Sequence, residues 1–420
     1  MLRVWFAAPS YDAAGKSRRL ANRAGILVNT IGMGLLLAFH RTGRGWVMNV
    51  ESAVLKRYSQ GANVRQEALC CPVDYDQELL KILPQEILEK DYGCGDPSRF
   101  VHAGDVVLDL GSGGGKICYM AAQLVGPEGR VIGVDMNDDM LALARKYQAE
   151  MAAKLGGDRV KFVKGRIQDL ALDIEAMTDW LKGHPVHDFE CLPELELWQA
   201  GQRSRRPLIA DNSVDLVISN CVLNLVSDGE KQQLVNEIYR VLKPGGRMAI
   251  SDIVCDETVP GHIKSDLQLW SGCIAGAFQE QEMVRMFAET GFQALCFNMW
   301  STGPWRVIEN IEFRSVTLTG VKPAGTGCVD KGHAVIYRGP FNRVHDDDGH
   351  VFLRGERMAV CEKTFRLLTE GPYKNDFIGI TPAVERDPVP WCAPAGTRRP
   401  ASETKGGVQT NSNNSGRCCC

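Results

Sequence analysis

The chain has 420 residues, a formal net charge of −3, 44% hydrophobic residues and 24% charged residues. This length exceeds one ordinary hydrophobic core, so we expect two domains with flanking tails. The composition is typical of a soluble globular protein, and the small net charge gives no reason to expect a nucleic-acid ligand. The 15 cysteines are not spaced like those of a small secreted disulfide scaffold, which favours an intracellular protein that uses some of them in binding or catalysis.

The first 47 residues differ from the rest of the chain. They carry many Arg and Lys residues against a single acid, Asp12, and are rich in Ala and Gly. This composition is typical of an organellar transit peptide, although a disordered extension fits equally well. The apolar stretch 24–39 is too short for a comfortable membrane span, so we predict no membrane association. The prediction is therefore a cytoplasmic protein, with an organellar location as the alternative.

A region of alternating strands and helices follows, preceded by a segment that carries cysteines. Short helical patterns cover 51–60 and 78–89, and Pro84 breaks the second. From residue 105, strands and helices alternate, which predicts an α/β fold with a doubly wound parallel sheet of Rossmann-like type. The predicted strands are 106–110, 131–135, 160–164, 214–219, 247–253 and an edge strand near 294–298. The predicted helices are 117–124, 137–153, 229–242 and 281–290.

The domain prediction follows from changes in pattern. The main domain covers 48–299 and contains a polar insertion at 169–207, for which the default interpretation is a surface subdomain. Residues 300–381 contain strand patterns at 311–318, 333–337 and 351–360, which predict a small C-terminal α+β domain. Residues 382–420 are rich in Pro, Gly, Ser and Asn and end in three cysteines, Cys418–Cys420, which predicts a disordered tail.

The stretch Val106–Tyr119, VVLDLGSGGGKICY, predicts a ligand site. It joins a buried strand through a Gly-rich turn to the start of a helix, where backbone N–H groups are available to a polar ligand. It is not a phosphate-binding P-loop, because Lys116 is followed by Ile117 rather than by Ser or Thr. Asp135 ends the next strand, where a carboxylate can bind ribose hydroxyls. Asp109 would repel a pyrophosphate and suits a ligand with a cationic end.

The cysteines fall into two groups. Cys118, Cys296 and Cys361 lie within helix or strand patterns and are best interpreted as small buried hydrophobic residues. A second group lies in predicted loops that the fold can bring to one edge of the sheet, and it comprises Cys70, Cys71, Cys94, Cys221 and Cys273. Thiols in such loops indicate a site for a soft ligand, but their spacing is not that of a zinc site.

Several motifs together resemble those of arsenite S-adenosylmethionine methyltransferases. The glycine motif DLGSGGG and RVLKPGG occur in methyltransferases generally, whereas YGCG (92–95), SNCVLNL (219–225) and WSGC (270–273) are more specific. ISDI (250–253) and the later stretches IEFRSVTL and AVIYRGP extend the resemblance from about residue 54 to about residue 380. The segment CCPVDYD and the long insertion look most like the branch linked to arsenosugar synthesis.

The resemblance implies a set of site residues. Cys221 and Cys273 look like the thiolates that hold trivalent arsenic during methyl transfer. Cys94 and one of Cys70 or Cys71 look like a second pair, which passes the metalloid on or forms a disulfide, and Tyr92 stands beside them. The cofactor pocket for S-adenosylmethionine (SAM) is predicted to comprise Asp109, Gly111, Ser112, Gly113, Gly115, Asp135, Met136, Ile167, Gln168 and Asn220.

The resemblance also carries expectations about chemistry. Thiolates suit the soft arsenic(III) centre, and a thiol-bound arsenic lone pair can attack the SAM methyl group without a strong general base. No metal cofactor is expected, and the substrates would be arsenite and methylarsenite as thiol adducts. Thioredoxin or glutathione would reduce the disulfide that forms. Gln168 stands where the family usually has Glu, which could alter a contact to the adenine amine.

Two other functions remain open at this point. A SAM methyltransferase acting on another small organic molecule would fit the glycine loop equally well, but it leaves Cys94, Cys221 and Cys273 unexplained. A thiol-rich protein that binds metalloids without turnover would fit the Cys418–Cys420 tail, but Asp109 and Asp135 would then have no purpose.

Overall fold

The structure is a computed structural model that describes residues 50–66, 73–325, 327–384 and 386–404. The predictions made for residues 1–47, for Cys70 and Cys71 and for the Cys418–Cys420 cluster fall outside these residues. Within them, no helix is both long enough and apolar enough to span a membrane.

A nine-stranded sheet forms the centre of the structure. Its strands are β1 (Val106–Leu110), β2 (Arg130–Asp135), β3 (Val160–Lys164), β4 (Val214–Asn220), β5 (Leu242–Cys255), β6 (Phe278–Gln279), β7 (Gln293–Trp300), β8 (Arg306–Ile308) and β9 (Ile311–Val321). The order across the sheet is β3-β2-β1-β4-β5-β9-β7, with β6 paired to β5 and β8 paired to β9. Strands β1 to β5 are parallel where they pair, which confirms the predicted Rossmann-like α/β class.

Helices cover both faces of this sheet and continue into the C-terminal part. The helices are α1 (Val50–Asn63), α2 (Gln77–Leu80), α3 (Gln85–Glu89), α4 (Lys116–Leu124), α5 (Asp138–Lys146), α6 (Gln148–Leu155), α7 (Ile174–Gly183), α8 (Leu192–Arg205), α9 (Lys231–Val241), α10 (Gly261–Lys264), α11 (Leu267–Trp270), α12 (Glu280–Thr290), α13 (Glu362–Thr369) and α14 (Ala401–Thr404). The break between α2 and α3 falls at Pro84, as its missing N–H and fixed φ require.

The apolar run of β1 is explained by burial on both faces. Leu108 and Leu110 pack into a core cluster on one face of the sheet, whereas Val107 packs into the cluster on the other face. Strands buried on both faces have continuous rather than alternating hydrophobic sequences. In register, Leu110 lies beside Val134 of β2 and Ser219 of β4. The carboxyl ends of these three strands therefore meet at one edge, where ligands of open α/β sheets bind.

Strand β9 corrects the predicted domain boundary at residue 299. It pairs antiparallel with β5 from Phe313 to Val321 and so lies inside the main sheet. The reason is burial, because Val316 and Leu318 of β9 join the core on one face of that sheet. Strand β7, predicted as an edge strand, pairs antiparallel with β9 and forms that edge of the strand order.

The residues after β9 form smaller sheets around their own apolar cluster, which includes Val335, Phe352 and Leu368. The strands are β10 (Val329–Asp330), β11 (Ala334–Tyr337), β12 (Arg343–His345), β13 (Val351–Leu353), β14 (Arg357–Ala359), β15 (Phe377–Ile380) and β16 (Val389–Pro390). The predicted strand 351–360 is two strands, because the chain turns at Gly355 with a φ of 77°.

The prediction of disorder from residue 382 is wrong for the described residues up to Thr404. Strand β16 pairs with β10, and a disulfide joins Cys328 to Cys392. The guanidinium of Arg399 donates to the Asp330 carboxylate at 2.7 Å and is nearly buried. Composition alone missed these contacts because they join segments that are far apart in the chain.

Candidate active site

The glycine-rich turn after β1 is held by backbone contacts that need glycine. Gly111 has a φ of 66°, and a Cβ atom there would lie 2.4 Å from the Val222 side chain. The backbone N–H groups of Gly111 and Ser112 donate to the carbonyl of Val134 on β2. Helix α4 then begins after Gly115, which also has a positive φ of 87°. The turn therefore brings the start of a helix to the carboxyl end of the sheet, as the sequence predicted.

Asp135 is placed at the end of β2 as predicted for a ribose ligand. Its two carboxylate oxygens accept hydrogen bonds from the backbone N–H groups of Gly113 at 2.9 Å and Asn137 at 2.8 Å. Burial raises the pKa of Asp135, whereas these backbone donors and that of Met136 oppose the rise. The carboxylate is thus fixed in one orientation by the glycine turn and keeps lone pairs that can accept ligand hydroxyls.

Asp109 lies on β1, opposite Gly133 of β2 and two residues before Gly111. It is almost fully buried, and the Cys118 thiol of α4 donates to its carboxylate at 3.1 Å. Burial, reinforced by the nearby Asp135 and Asp91 carboxylates, raises the pKa of Asp109 to about 7. Among the described residues no cationic side chain forms an ion pair with Asp109, and such a buried carboxylate indicates a place for the positive charge of a ligand.

The hydroxyl of Ser112 gives independent support for a polar ligand here. Its oxygen is buried and has no hydrogen-bond partner among the described residues. Buried polar atoms are rarely left unpaired, so the atom requires a ligand or water partner. The pocket thus combines an unpaired hydroxyl, a carboxylate that suits a cation and a carboxylate that suits hydroxyls, which fits the amino-acid and ribose parts of SAM.

The remaining predicted pocket residues have different positions. Ile167 and Gln168 follow β3 and are buried, and the Gln168 carbonyl accepts a hydrogen bond from Gln233 at 2.8 Å. The prediction for Asn220 needs correction, since its amide is occupied by the loop that carries Cys94. The side-chain amide oxygen of Asn220 accepts hydrogen bonds from the backbone N–H groups of Cys94 and Gly95, and the side-chain amide nitrogen donates to the Gly95 backbone carbonyl at 2.8 Å.

The hydrogen bonds between the Asn220 side chain and residues Cys94 and Gly95, here called the Asn220 clamp, hold the YGCG loop in place. A Cβ atom at Gly93 would lie 2.2 Å from the Asn220 amide nitrogen, and one at Gly95 would lie 2.6 Å from Ser251. The Cys94 carbonyl also accepts a hydrogen bond from the Ser315 hydroxyl of β9. Glycine on each side of Cys94 therefore lets the backbone lie directly against the ends of β4 and β5.

Three of the predicted cysteines meet at this point. Cys94 is joined to Cys221 by a disulfide with a Cα–Cα distance of 5.7 Å. The Cys273 thiol donates to the backbone carbonyl of Cys221 at 3.3 Å. Within the described residues Cys94 is thus paired with Cys221, and the predicted grouping of Cys94 with Cys70 or Cys71 stays a prediction because those two cysteines are outside the described residues.

The backbone at two of these cysteines is unusual. Cys221 has a φ of 61° and Cys273 has a φ of 62°, in the left-handed region that residues with a Cβ rarely adopt. Each such residue costs on the order of 1 kcal/mol or more, and such conformations cluster at functional sites. The two reactive side chains are therefore held at positions where conformational preference alone would favour glycine.

Sequence reasoning missed two residues of the thiol cluster. One Asp252 oxygen lies within 4.8 Å of both the Cys94 and the Cys221 sulfur, and the Asp252 carboxylate accepts the backbone N–H groups of Leu223 and Ile253. Tyr58 of α1 forms a side-chain hydrogen bond with the Cys273 thiol, and burial raises the pKa of this tyrosine well above its usual range. Asp252 lies in the ISDI motif, so a sequence signal for it was present. No local sequence feature distinguishes Tyr58.

Helix α1 connects the two halves of the site. Its Leu55 carbonyl accepts a hydrogen bond from the Asn137 amide at the end of β2, and its Arg57 donates to Ser271 of the WSGC motif at 2.9 Å. Tyr92 donates to the Gly61 carbonyl of this helix at 2.9 Å and packs edge-on against Tyr58. The structure thus places Tyr92 beneath α1, where it supports Tyr58.

Comparisons with known proteins agree with this geometry. A family model described as a methyltransferase domain matches residues 101–180 and 199–291, and a domain of unknown function matches residues 324–409. An arsenite methyltransferase of Aquipseudomonas alcaligenes is 31% identical over 337 residues, covering 76% of this chain and 86% of that protein. The arsenite methyltransferase of Mus musculus is 32% identical over 334 residues, covering 75% of this chain and 77% of that protein.

One solved structure extends this comparison. The arsenic(III) S-adenosylmethionine methyltransferase of Chlamydomonas reinhardtii matches 75% of this chain and 99% of its own, with 29% identity and a TM-score of 0.51. The sheet order, the glycine turn and the two pocket carboxylates define a SAM-dependent methyltransferase. More narrowly, the chain belongs to the arsenite methyltransferase family.

Proposed function

We propose that this enzyme methylates trivalent arsenic, first arsenite and then methylarsenite, while its own cysteines hold the substrate. The observation that carries the proposal is the meeting of Cys94, Cys221 and Cys273 beside the cofactor turn. Gly111 of that turn lies against the side chain of Val222, which follows Cys221. Val222 therefore connects the thiol cluster with the predicted SAM pocket.

The residues of the cluster have separate tasks in this proposal. SAM, when bound, supplies an electrophilic methyl group on its sulfonium. The thiolates of Cys221 and Cys273 bind arsenic and orient its lone pair, which suits a soft centre better than carboxylates would. Asp252 positions the turn after Cys221 through its backbone hydrogen bonds. Methyl transfer to the arsenic lone pair leaves pentavalent arsenic, which Cys94 and Cys221 can reduce to the trivalent state by giving it two electrons and forming their disulfide. An external thiol reductant then reduces this disulfide.

An assay with purified enzyme tests the proposal. The enzyme is reduced with a phosphine, freed of excess reductant and incubated with arsenite, a dithiol and SAM labelled in its methyl group. We expect labelled methylarsenicals, and we expect none with the Cys221→Ser variant as control. Stoichiometric arsenic binding without methyl transfer, or transfer only to an added organic acceptor, would contradict the proposal.

Asp135 provides a test of the cofactor site. Asp135→Ala is expected to weaken SAM binding by roughly 1.5–3 kcal/mol, because a fixed carboxylate that accepts hydrogen bonds from ligand hydroxyls is lost. This corresponds to an increase in Kd of roughly 10- to 150-fold, measured by calorimetry. Glu128→Ala, a change at another acidic residue, serves as the control, and unchanged SAM affinity in a folded Asp135→Ala variant would contradict the assignment.

Asp109 gives the pocket a predicted pH dependence. Its pKa of about 7 in the free enzyme means that part of it is protonated at neutral pH, whereas a cationic ligand needs the carboxylate. SAM affinity is therefore expected to rise with pH up to about 7 and then to level off, by up to about tenfold per pH unit below the pKa. Asp109→Asn should flatten this profile, and a wild-type profile without a rise would contradict the role of Asp109.

The raised pKa of Asp109 also makes the stability of the free enzyme depend on pH. This stability falls as the pH rises, whereas SAM affinity is expected to rise. Because folding raises the pKa of Asp109 above its ordinary value of 3.8, the folded state binds the proton more tightly than the unfolded state. Its contribution to stability is complete below about pH 4 and is lost as the pH rises through about 7.

We also propose a setting for the reaction. The enzyme would act in the cytoplasm, with thioredoxin or glutathione as the reductant, because thiols that must be restored after each oxidation need a reducing compartment. Residues up to β9 would carry the methyl transfer, since every described residue of the site lies before that strand or within it.

A further inference from the structure

A second pair of cysteines lies outside the active site. Cys328 precedes β10 and Cys392 follows β16, and a disulfide joins them with a Cα–Cα distance of 5.1 Å. The two strands pair antiparallel, with Val329 opposite Pro390, and the Trp391 N–H donates to the Cys328 carbonyl at 2.8 Å. The cysteines are thus neighbours on paired backbone segments, although 64 positions separate them in the chain.

Contacts other than the disulfide hold these segments together. The Arg399 guanidinium donates to Asp330 of β10 at 2.7 Å and lies 5.7 Å from the ring centroid of Trp391 beside β16. The same arginine pairs with Glu403 at 2.9 Å and donates to the His333 carbonyl. Reduction of the disulfide would therefore leave two thiols that are still held close together, rather than two independent cysteines.

The pair is accessible, unlike most other cysteines that the structure describes. Cys392 is exposed and Cys328 is half-buried, whereas Cys118, Cys255 and Cys361 are buried. The prediction that Cys296 is buried is wrong, because it lies on the edge strand β7, where it is exposed. A dithiol reductant such as a thioredoxin-type protein can reach a disulfide of this exposure, because exchange requires direct attack on sulfur. In a reducing compartment the pair would be present largely as free thiols.

We propose that the reduced Cys328–Cys392 pair is a second binding site for trivalent arsenicals, separate from the methylation site. This inference rests on the proposed function, which makes arsenite and methylarsenite the ligands that this enzyme meets. Two adjacent thiols chelate arsenic(III), and chelation exceeds single-thiol binding through effective concentration. The two sites share no residue, so the C-terminal site stores or receives substrate without taking part in methyl transfer.

The binding step balances in two stages. First, an external dithiol reduces the disulfide, so that two protein thiols form and the reductant becomes a disulfide. Then arsenite, As(OH)₃, exchanges two hydroxyl groups for the two sulfurs, which forms two As–S bonds and releases two water molecules. No oxidation of arsenic is involved, and methylarsenite can bind in the same way because it has two exchangeable positions.

Arsenic-protected alkylation is the direct test on the full chain. The enzyme is reduced with a phosphine, incubated with arsenite, treated with iodoacetamide and mapped by mass spectrometry. We expect arsenite to protect Cys328 and Cys392 together and to leave the exposed single thiol Cys296 open to alkylation. Equal alkylation of Cys328 and Cys392 with and without arsenite would overturn the proposal, and this measurement requires no variant.

Variants make the test quantitative. Cys392→Ser should lose about one bound arsenic per chain after gel filtration, and its affinity for this site should fall at least ~100-fold, whereas Cys296→Ser should match the wild type. Methylation at saturating arsenite should be unchanged in Cys392→Ser. Trp391 adjoins the site, so the arsenite-induced fluorescence change should shrink in Trp391→Phe while arsenic binding persists.

The design separates the two proposals. A Cys94→Ser/Cys221→Ser/Cys273→Ser variant should lose methylation yet keep the protection of Cys328 and Cys392. Protection that disappears in this variant would mean that the second site is not independent, which overturns the inference. A wild-type enzyme that shows protection without methylation would instead refute the proposed function alone.

Discussion

Cys221→Ser and Cys273→Ser are each expected to abolish methylation of both arsenite and methylarsenite. Cys94→Ser is expected to abolish methylation of arsenite only. Arsenite offers three exchangeable positions, and each added methyl group removes one of them. A monomethylated substrate binds only two thiolates, so two cysteines are enough for it. Cys221 precedes Val222, which lies against Gly111 of the cofactor turn, and the Cys273 thiol donates to the Cys221 carbonyl at 3.3 Å, so these two cysteines are the expected pair.

The measurement uses each substrate separately with an external dithiol present, because the Cys94–Cys221 disulfide would otherwise trap the wild type. Losses at Cys221 and Cys273 should exceed ~1,000-fold in turnover, since orientation of the reacting atom is lost entirely. Cys361→Ser, a buried free cysteine in the C-terminal part, is the matched control and should leave both rates unchanged. Loss of methylarsenite turnover in Cys94→Ser with SAM binding intact would show that the three thiols act together.

Gly276→Ala is expected to reduce turnover by at least ~100-fold, although the position carries no functional group. A Cβ atom at Gly276 would lie 2.0 Å from the backbone carbonyl oxygen of Asn224, so one of the two segments must move. Asn224 is not free to yield, because its side-chain amide donates to the Ile253 carbonyl at 2.6 Å. The segment after Cys273 would therefore shift away from Cys221, and a misplacement of about 1 Å can cost ~100-fold in rate.

Turnover and SAM affinity together test this expectation. SAM binding should be nearly unchanged in Gly276→Ala, because the glycine turn after β1 lies elsewhere. Gly229→Ala is the matched control, since a Cβ atom there would have no heavy atom within 4 Å. Wild-type turnover in Gly276→Ala would mean that the Cys273 segment tolerates displacement and that its position is not critical.

The fold and the cofactor pocket could be predicted because their signals are local. The strand, turn and helix around Gly111 are consecutive in the chain, and Asp135 follows at the end of the next strand, so pattern alone located both. The antiparallel β9 escaped prediction, since its apolar pattern does not say which sheet it joins. Its place beside β5 follows from the burial of Val316 and Leu318, a property of the assembled core.

The thiol pairing could not be predicted for a related reason. Cys94 and Cys221 are 127 positions apart. The side-chain amide of Asn220 holds the Cys94 loop beside Cys221 by hydrogen bonds to backbone groups of that loop, and these contacts exist only in the folded chain. The sequence identified each cysteine by its motif but not its partner. Tyr58 was missed because a tyrosine on an amphipathic helix has no distinguishing mark until the helix lies over Cys273.

The positive φ angles at Cys221 and Cys273 place stability and activity in conflict at single positions. Glycine would relieve a backbone cost on the order of 1 kcal/mol at each site, yet it would remove the sulfur on which the proposed chemistry depends. Selection of variants for thermal stability alone would therefore tend to eliminate activity at these two positions. An engineering programme for this enzyme should hold both cysteines fixed and seek stability in the remainder of the chain.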